Sequence, residues 1–158
     1  PERVELVKVS SAVEMLAAAE ATLGRGQIFI ASAAVADYRP ADVADQKIKK
    51  SGDEIQLNLV KNPDIVATIA SHPVRPFTVG FAAETRNVAE YARGKLTSKN
   101  LDLIIANDVS RTDIGFNSDD NAVSLYWPGG EKELPLMSKQ ALARQLIAEI
   151  AQRFQQAN

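Results

Sequence analysis

An aspartate followed by a cluster of lysines is the feature of this sequence whose residue types could do chemistry. Asp37 follows a run of small residues at positions 31–34, and Lys47, Lys49 and Lys50 lie at least ten positions further on in a polar segment. Small side chains would let a planar ligand approach the backbone, and the carboxylate could bind a ribose hydroxyl or a cation. Ammonium groups on a movable loop could neutralise charge during phosphoryl or nucleotidyl transfer. The simpler interpretation is an Ala-rich strand end, a turn aspartate and a solvated lysine cluster.

Polar residues that follow predicted strands are the first candidates for a site, because open α/β sheets bind ligands beyond the carboxyl ends of their parallel strands. Four places qualify: Asp37, residues 81–84, Asn107 with Asp108, and the loop after Val60. In that loop, Asn62 and Pro63 are typical of an N-cap and a first helical residue. The free N–H groups of such a helix could hold an anion or read a base edge, although an ordinary N-cap is the simpler interpretation.

Two further lysines are spaced to act together. Lys95 and Lys99 are four apart on a predicted helix, so they share a face and could present paired charge to a polyphosphate; a solvated surface is the simpler alternative. His72 is the single histidine and has no evident catalytic partner. The sequence contains no Walker motif, nucleophile elbow or metal-ligand cluster, which argues against P-loop and hydrolase chemistry.

Short β-branched runs that alternate with helical periods predict an α/β fold with a mostly parallel sheet flanked by helices. Strands are predicted at residues 4–9, 27–34, 76–82 and 101–108, with a half-exposed strand at 54–60 outside the main sheet. Helices are predicted at 11–23, 63–71, 87–99 and 138–154, with Ser11, Glu14 and Ser138 in capping positions. Residues 121–136 predict an added antiparallel hairpin, which is also a candidate subunit contact together with residues 54–60.

Composition limits the class of protein. With 158 residues, 46% of them hydrophobic and 24% charged, a single domain over 1–158 is expected. A net charge of -2 gives no general attraction to nucleic acid or to a membrane surface. The absence of cysteine excludes disulfides and thiol nucleophiles, and no apolar run approaches the roughly 20 residues that span a bilayer. A cytoplasmic location is therefore expected.

The glycines do not form a phosphate cradle. None of the eight belongs to a Gly-rich turn between a strand and a helix N-terminus, and no G-x-G-x-x-G pattern is present. A dinucleotide-dependent enzyme is therefore disfavoured. Either the chain does not bind a nucleotide in that way, or it starts after the first βα unit of a larger fold.

Six sequence blocks in order resemble bacterial phosphopantothenate-cysteine ligase, also called phosphopantothenoylcysteine synthetase. They are AAVADYRP (33–40), KIKK (47–50), VKNPDIV (60–66), VGFAAET (79–85), KNLDLIIANDV (99–109) and GFNSDDN (115–121). In many bacteria this ligase is the C-terminal half of a bifunctional coenzyme A biosynthesis protein. The other half is an FMN-dependent decarboxylase, which is not expected in this sequence.

The resemblance implies a Rossmann-like fold and an amide-forming ligase unrelated to the ATP-grasp enzymes. The family joins 4'-phosphopantothenate to L-cysteine with CTP and Mg²⁺, through an acyl-cytidylate that the cysteine amine captures. Conversion of the carboxylate to a mixed anhydride supplies a good leaving group before the amide forms. A homodimer is also implied.

The resemblance assigns roles residue by residue. It makes Ala31, Ser32 and Ala33 backbone neighbours of CTP, Asp37 a ligand of its ribose or cation, and Lys47 the catalytic lysine of a flap that closes over the cytidylate. Further nucleotide contacts are implied for Pro63, Asp64, Ile65, Val66, Phe81, Lys95 and Lys99. Metal ligands are not assigned.

Family members carry a Gly-rich strand-turn-helix segment ahead of the position that matches Pro1, so the chain is expected to be a fragment with little activity of its own and an exposed sheet edge. A non-catalytic fragment that binds CTP or dimerises is the alternative.

Overall fold

The computed structural model describes residues 3–49, 52–108 and 119–157. Their helices and strands follow in the order α1 (Ala12–Glu20), β1 (Ile28–Ala31), β2 (Tyr38–Pro40), β3 (Leu59–Lys61), α2 (Ile65–Ala70), β4 (Phe77–Glu84), α3 (Val88–Ser98), β5 (Leu103–Asp108), β6 (Asp120–Trp127), β7 (Gly130–Ser138) and α4 (Lys139–Ala157). None of the helices in these ranges is long and apolar enough to cross a membrane.

The main sheet has five strands in the order β1-β4-β5-β6-β7. Strands β1, β4 and β5 run parallel, whereas β6 and β7 form an antiparallel hairpin that continues the sheet from β5. Strands β2 and β3 form a separate antiparallel ribbon. The expected α/β fold with an added hairpin is confirmed, and the carboxyl ends of the three parallel strands meet at one edge.

Alternating side chains of the central strands build two cores, because successive residues of a strand point to opposite faces. Leu103 and Ile105 pack with Leu142, Leu146 and Ile150 of α4 on one face. On the other face, Ile104 and Ala106 of β5 pack with Ala92 and Leu96 of α3. The central strands are thus covered on both faces, whereas Ile28 and Ile30 of β1 are each 37% exposed.

Two predicted caps are confirmed and one is corrected. Ser11 Oγ accepts from the Glu14 N–H at 3.2 Å, and Ser138 Oγ accepts from the Ala141 N–H at 3.3 Å. The assignment of Asn62 and Pro63 to an N-cap and a first helical residue is wrong. Helix α2 begins at Ile65, and Asp64 caps it by accepting from the Ala67 N–H at 3.1 Å.

The predicted strand at residues 4–9 is also wrong. These residues form no strand, and Val4, Leu6 and Val7 are 67, 78 and 55% exposed. A β-branched run needs the hydrogen bonds of a neighbouring strand, and residues 4–9 pair with none in the described part of the chain. Of the predicted strand at 54–60, residues 59 and 60 belong to β3, which lies outside the main sheet as expected.

Candidate functional site

A cleft of about 720 Å³ lies at the carboxyl ends of β1, β4 and β5. Ten of the twelve residues proposed from the sequence line it: Ala31, Ser32, Ala33, Asp37, Pro63, Asp64, Ile65, Val66, Phe81 and Lys99. They come from four segments that are distant in sequence. The parallel pairing of β1 with β4 brings two of these segments together, with Ala31 opposite Gly80.

The floor of the cleft is made of small side chains. Residues 31–34 all line it, and none of their side chains is larger than that of serine. Gly80, which pairs with Ala31, leaves room for Leu101 in the core, because a Cβ atom at position 80 would lie 2.7 Å from Cδ1 of Leu101. Little side-chain bulk therefore separates a ligand in the cleft from the backbone of β1.

Asp37 is an exposed carboxylate on the wall of the cleft. Its side chain makes no hydrogen bond or ion pair with the described residues, whereas its backbone carbonyl accepts from the Asn62 N–H at 2.8 Å. The backbone at Asp37 is therefore held in place while the carboxylate stays available to a ligand.

A polar clamp joins the wall that carries Asp37 to the wall that carries Pro63 and Asp64. Asn62 Nδ2 donates to the Ala36 carbonyl at 2.8 Å, and its Oδ1 accepts from Arg39 Nη1 at 3.2 Å. The same Arg39 nitrogen donates to the Lys61 carbonyl at 2.8 Å. We call Arg39 and Asn62 the clamp, because their hydrogen bonds hold the two walls at a fixed separation.

Asp64 and Lys99 form an ion pair inside the cleft, with Nζ 2.9 Å from Oδ2. Burial of the carboxylate raises the pKa of Asp64, but the hydrogen bonds from Lys99 and from the Ala67 N–H, with the charges of Lys99 and Lys61, outweigh it. The pKa of Asp64 therefore lies below its ordinary value. Asp64 remains ionised near neutral pH and neutralises most of the charge that Lys99 would offer to a ligand.

The structure places Lys47 and Lys95 outside the cleft. Lys47 lies on an exposed loop between β2 and β3, and Lys95 Nζ donates to Glu84 Oε1 at 2.7 Å. Lys95 lies within α3 and Lys99 caps its C-terminus, and each is paired with its own carboxylate. The expected pair of free charges on α3 is therefore not observed.

Other residues line the cleft without having been proposed as ligands: Met15, Lys61, Asn121 and Lys139. Asn107 also lines it, and its position directly after a buried strand marked it as a candidate. Lys139 lies 102 positions after Asp37 and begins a helix, so the local sequence gave no signal for it. Only the return of the β6–β7 hairpin to the sheet brings it to this edge.

No cluster of three or more histidine, aspartate or glutamate side chains that could hold a metal is found in residues 3–49, 52–108 and 119–157. Among the described residues, the carboxylate that lines the cleft without an ion-pair partner is that of Asp37, since Asp64 is paired with Lys99. Mg²⁺ is commonly bound through one or two carboxylates together with substrate phosphates. Asp37 thus fits a metal that arrives with a phosphorylated ligand, and a metal cage made by the described residues alone does not fit.

Trp127 and Tyr126 pack within the chain. The Arg153 guanidinium lies 3.7 Å from the centroid of the Trp127 ring, and that of Arg93 lies 4.9 Å from the centroid of Tyr126. Tyr126 is 6% exposed. Both hairpin aromatics thus contact arginines of the same chain.

Comparison with curated proteins identifies close relatives. The coenzyme A biosynthesis bifunctional protein CoaBC of Haemophilus influenzae is 54% identical over 156 residues, which are 98% of this chain and 39% of that protein. The protein of the same name from Bacillus subtilis is 41% identical over 93% of this chain and 36% of its own length. This chain thus spans well under half the length of the curated relatives it matches.

Solved structures share the fold. A crystal structure of the C-terminal domain of CoaBC superposes with a TM-score of 0.78 at 34% identity, over 99% of this chain and 69% of that one. The DNA/pantothenate metabolism flavoprotein from Streptococcus pneumoniae gives a TM-score of 0.73 at 21% identity, over 92% of this chain and 71% of that one, which shows a common fold. Residues 1–154 match the family profile of the DNA/pantothenate metabolism flavoprotein C-terminal domain, and the chain belongs to that family.

Proposed function

We propose that this chain carries the CTP-binding part of a ligase that joins 4'-phosphopantothenate to L-cysteine through an acyl-cytidylate. The observation that carries the proposal is the cleft, which unites ten of the twelve residues matched to the ligase family. The relatives named for coenzyme A biosynthesis support the same pathway. The substrate carboxylate attacks the α-phosphorus of CTP and pyrophosphate leaves; the cysteine amine then attacks the acyl carbon and CMP leaves.

The charge of the cleft suits a polyphosphate. Its lining contains three lysines, Lys61, Lys99 and Lys139, against two aspartates, although the whole chain has a net charge of -2. The described lining therefore carries one more positive than negative charge, and Lys99 is paired with Asp64. Such groups stabilise the charge that develops on the triphosphate as pyrophosphate leaves.

Lys47 completes the site by movement of its loop. Residues 41–49 and 52–58 are exposed, and Val43, Ile48 and Ile55 are 84, 56 and 66% exposed. Burying these apolar side chains against a bound cytidylate would favour closure, at roughly 25 cal/mol per Å² of apolar surface. The loop leaves from the β2–β3 ribbon beside Asp37, so closure would carry Lys47 toward the phosphates.

Asp37 would bind either the ribose or the Mg²⁺ that accompanies the triphosphate. When bound, the metal supplies Lewis-acid stabilisation of phosphate charge. The residues of this chain do the positioning: the clamp fixes the backbone of Asp37, and residues 31–34 leave space for the nucleotide. Phe81 is 42% exposed on the cleft wall, where a base or ribose could pack on it.

The proposal includes a cytoplasmic homodimer, fused in the cell to a flavin-dependent decarboxylase. The family resemblance supports both parts. Residues 54–60 and the β6–β7 hairpin are the proposed subunit contacts, and Leu57 and Leu59 are 60 and 56% exposed.

Two measurements on the full-length protein test the function. Calorimetric titration with CTP is expected to show binding, and 4'-phosphopantothenate is expected to release pyrophosphate from bound CTP. The same assays on residues 1–158 separate the two forms of the proposal, since CTP binding without pyrophosphate release supports the non-catalytic fragment. Failure of the full-length protein to bind CTP would refute both.

A further inference from the structure

We propose that Asn100 is a positioning residue of the cleft, because its side chain fixes helix α2 in the place where that helix forms one wall. The contact that carries the inference is a hydrogen bond from Asn100 Nδ2 to the Ala70 carbonyl at 2.9 Å, across 30 positions of the sequence. The inference rests on the proposed function, since residues 63–66, at the start of this helix, are proposed to contact the nucleotide.

Helix α2 cannot set its own position. It has six residues, of which Ile65, Ile69 and Ala70 are buried. A helix this short has little stability of its own, so contacts with the rest of the chain must hold it. Apolar packing is non-directional and allows a helix to slide along its axis, whereas hydrogen bonds require a narrow range of distance and angle. Polar contacts at the ends of α2 therefore determine its axial position.

The C-terminal end of α2 has a carbonyl group that its own turn does not satisfy. The N–H groups of Ser71 and His72 donate to the carbonyls of residues 67–69. Ala70 is next in the chain and is 0% exposed, and among the described residues it is Asn100 that donates to its carbonyl. A buried carbonyl without a partner costs free energy, so Asn100 supplies a bond that the local chain does not.

The residue before Asn100 holds the other end of the same helix. Lys99 Nζ lies 2.9 Å from Oδ2 of Asp64, the N-cap of α2. The Cα atoms of adjacent residues are about 3.8 Å apart, whereas Asp64 and Ala70 are separated by roughly 9 Å along a helix that rises 1.5 Å per residue. Two neighbouring side chains thus reach both ends of α2, and a shift of the helix along its axis would disturb both contacts.

The backbone at Asn100 suits this role. Its φ of 54° is left-handed, a conformation that asparagine tolerates better than most residues with a side chain. Asn100 follows Lys99, the C-cap of α3, and the next residue, Leu101, is 5% exposed and packs beside Gly80 of β4. The turn at residues 99–101 therefore joins the two ends of α2 to the sheet that forms the floor of the cleft.

The test is the variant Asn100→Gly in the full-length protein. Glycine adopts a positive φ without strain, so the backbone is kept and the side-chain hydrogen bond is lost. We expect the affinity for CTP by calorimetry to fall about fivefold, the factor that corresponds to one hydrogen bond. The KM for CTP should rise by a similar factor with kcat unchanged, because the cleft wall binds the nucleotide in the ground state and the transition state alike.

A second measurement does not depend on CTP. Carboxyl-carbon NMR titration of Asp64 in Asn100→Gly should show a raised pKa, because the helix that carries Asp64 is no longer held beside Lys99 although no charge has changed. A loss of global stability alone would not alter this pKa while the protein remains folded.

Asn87→Gly is the matched control. Asn87 is also an asparagine with a positive φ, of 47°, but its side chain makes no hydrogen bond that caps α3. CTP affinity and an Asp64 pKa that are the same in both variants would overturn the proposal, and so would a raised pKa with unchanged CTP affinity, since α2 would then move without consequence for the ligand. A parent protein that binds no CTP would refute the proposed function instead, and the pKa of Asp64 would still decide whether Asn100 holds α2 in place.

Discussion

Asn62 Nδ2 donates to the backbone carbonyl of Ala36 at 2.8 Å, and this one hydrogen bond spans 26 positions of the sequence to join two walls of the cleft. Arg39 strengthens the connection by donating to Asn62 Oδ1 and to the Lys61 carbonyl. Two segments that the family resemblance assigns to one nucleotide are thereby held together before any ligand binds. Such preorganisation lowers the entropic cost of binding.

Asn62→Ala should lower the free energy of unfolding by about 1–2 kcal/mol, because it removes both side-chain hydrogen bonds of the clamp residue. It should also weaken CTP binding, since the wall that carries Asp37 is no longer fixed. Urea unfolding and calorimetric titration measure the two effects. Asn58→Ala is the control: Asn58 is exposed directly before β3, whereas Asn62 directly follows β3, and the side chain of Asn58 makes no hydrogen bond with the described residues. Equal stability of the two variants would contradict the clamp.

Lys99→Gln should raise the pKa of Asp64. The pKa is now below its ordinary value because the contributions of Lys99, the Ala67 N–H and Lys61 exceed the opposing effect of burial. A depressed pKa stabilises the fold above the unfolded pKa, and that stability is lost as pH falls through the folded pKa. The variant should therefore lose less stability on acidification. Carboxyl-carbon NMR titration measures the pKa directly.

The control for Asp64 is Lys95→Gln, which removes an equal charge from the same helix but from a lysine paired with Glu84. The pKa of Asp64 should not change in that variant. A similar rise of the Asp64 pKa in Lys99→Gln and Lys95→Gln would mean that the total charge near the helix, and not the contact with Lys99, lowers the pKa of Asp64.

Asp37→Ala should weaken CTP binding by about tenfold, because the free carboxylate of the cleft wall is lost. Asp37→Asn separates the two roles left open above. An amide oxygen can still accept from a ribose hydroxyl, whereas a neutral amide is a poor ligand for Mg²⁺. Calorimetry with and without Mg²⁺ gives the answer, and Asp53→Ala serves as the control on the exposed loop. Full CTP affinity in Asp37→Ala would remove Asp37 from the site.

Lys47→Gln in the full-length protein should slow cytidylate formation by about tenfold or more while weakening CTP binding much less. The reason is that Lys47 lies outside the cleft in the open form and would reach the phosphates on closure. Single-turnover pyrophosphate release measures the chemical step. Lys49→Gln, two positions along the same loop, is the control. Pyrophosphate release by Lys47→Gln at the rate of the parent would contradict a role for Lys47 in closing over the phosphates.

Glu149→Gln should lower the free energy of unfolding by about 2 kcal/mol, because hydrogen bonds to charged groups typically contribute about 1.5–3 kcal/mol. Glu149 accepts from Lys132 Nζ at 2.5 Å and from Arg153, and its side chain is 12% exposed. The hydrogen bond from Lys132 is the main cause that lowers the pKa of Glu149, against the effect of burial, with Arg153 adding to it. This contribution to stability should disappear as pH falls through that depressed pKa.

Urea unfolding at neutral and acid pH tests the role of Glu149. The control is Glu133→Gln, because Glu133 is exposed on β7 and its side chain has no partner in the described ranges. The free energy of unfolding of the parent should exceed that of Glu149→Gln by less at acid pH than at neutral pH. An equal difference at both pH values would show that the ionised carboxylate does not stabilise the packing of α4 against the hairpin.

The sequence by itself determined the elements whose signals are local. Hydrophobic periodicity located β4, β5, α3 and α4, and Ser11 and Ser138 marked helix starts because a hydroxyl can accept from an N–H three residues away. The position of polar residues after predicted strands likewise marked Asp37 and Asn107 as candidates. The family resemblance supplied ten of the 23 residues that line the cleft.

Tertiary structure decided everything that depends on a partner distant in sequence. Residues 4–9 have strand-forming side chains but pair with no strand in the described ranges, so propensity there was misleading. Asp64, not Asn62, is the N-cap of α2, and the side chain of Asn62 instead forms hydrogen bonds with Ala36 and Arg39. Whether a lysine is paired depends on its distance from a carboxylate, and only the folded chain sets that distance. Lys99, for example, is paired with Asp64. Lys139 lines the cleft because the β6–β7 hairpin returns the chain to the same edge of the sheet.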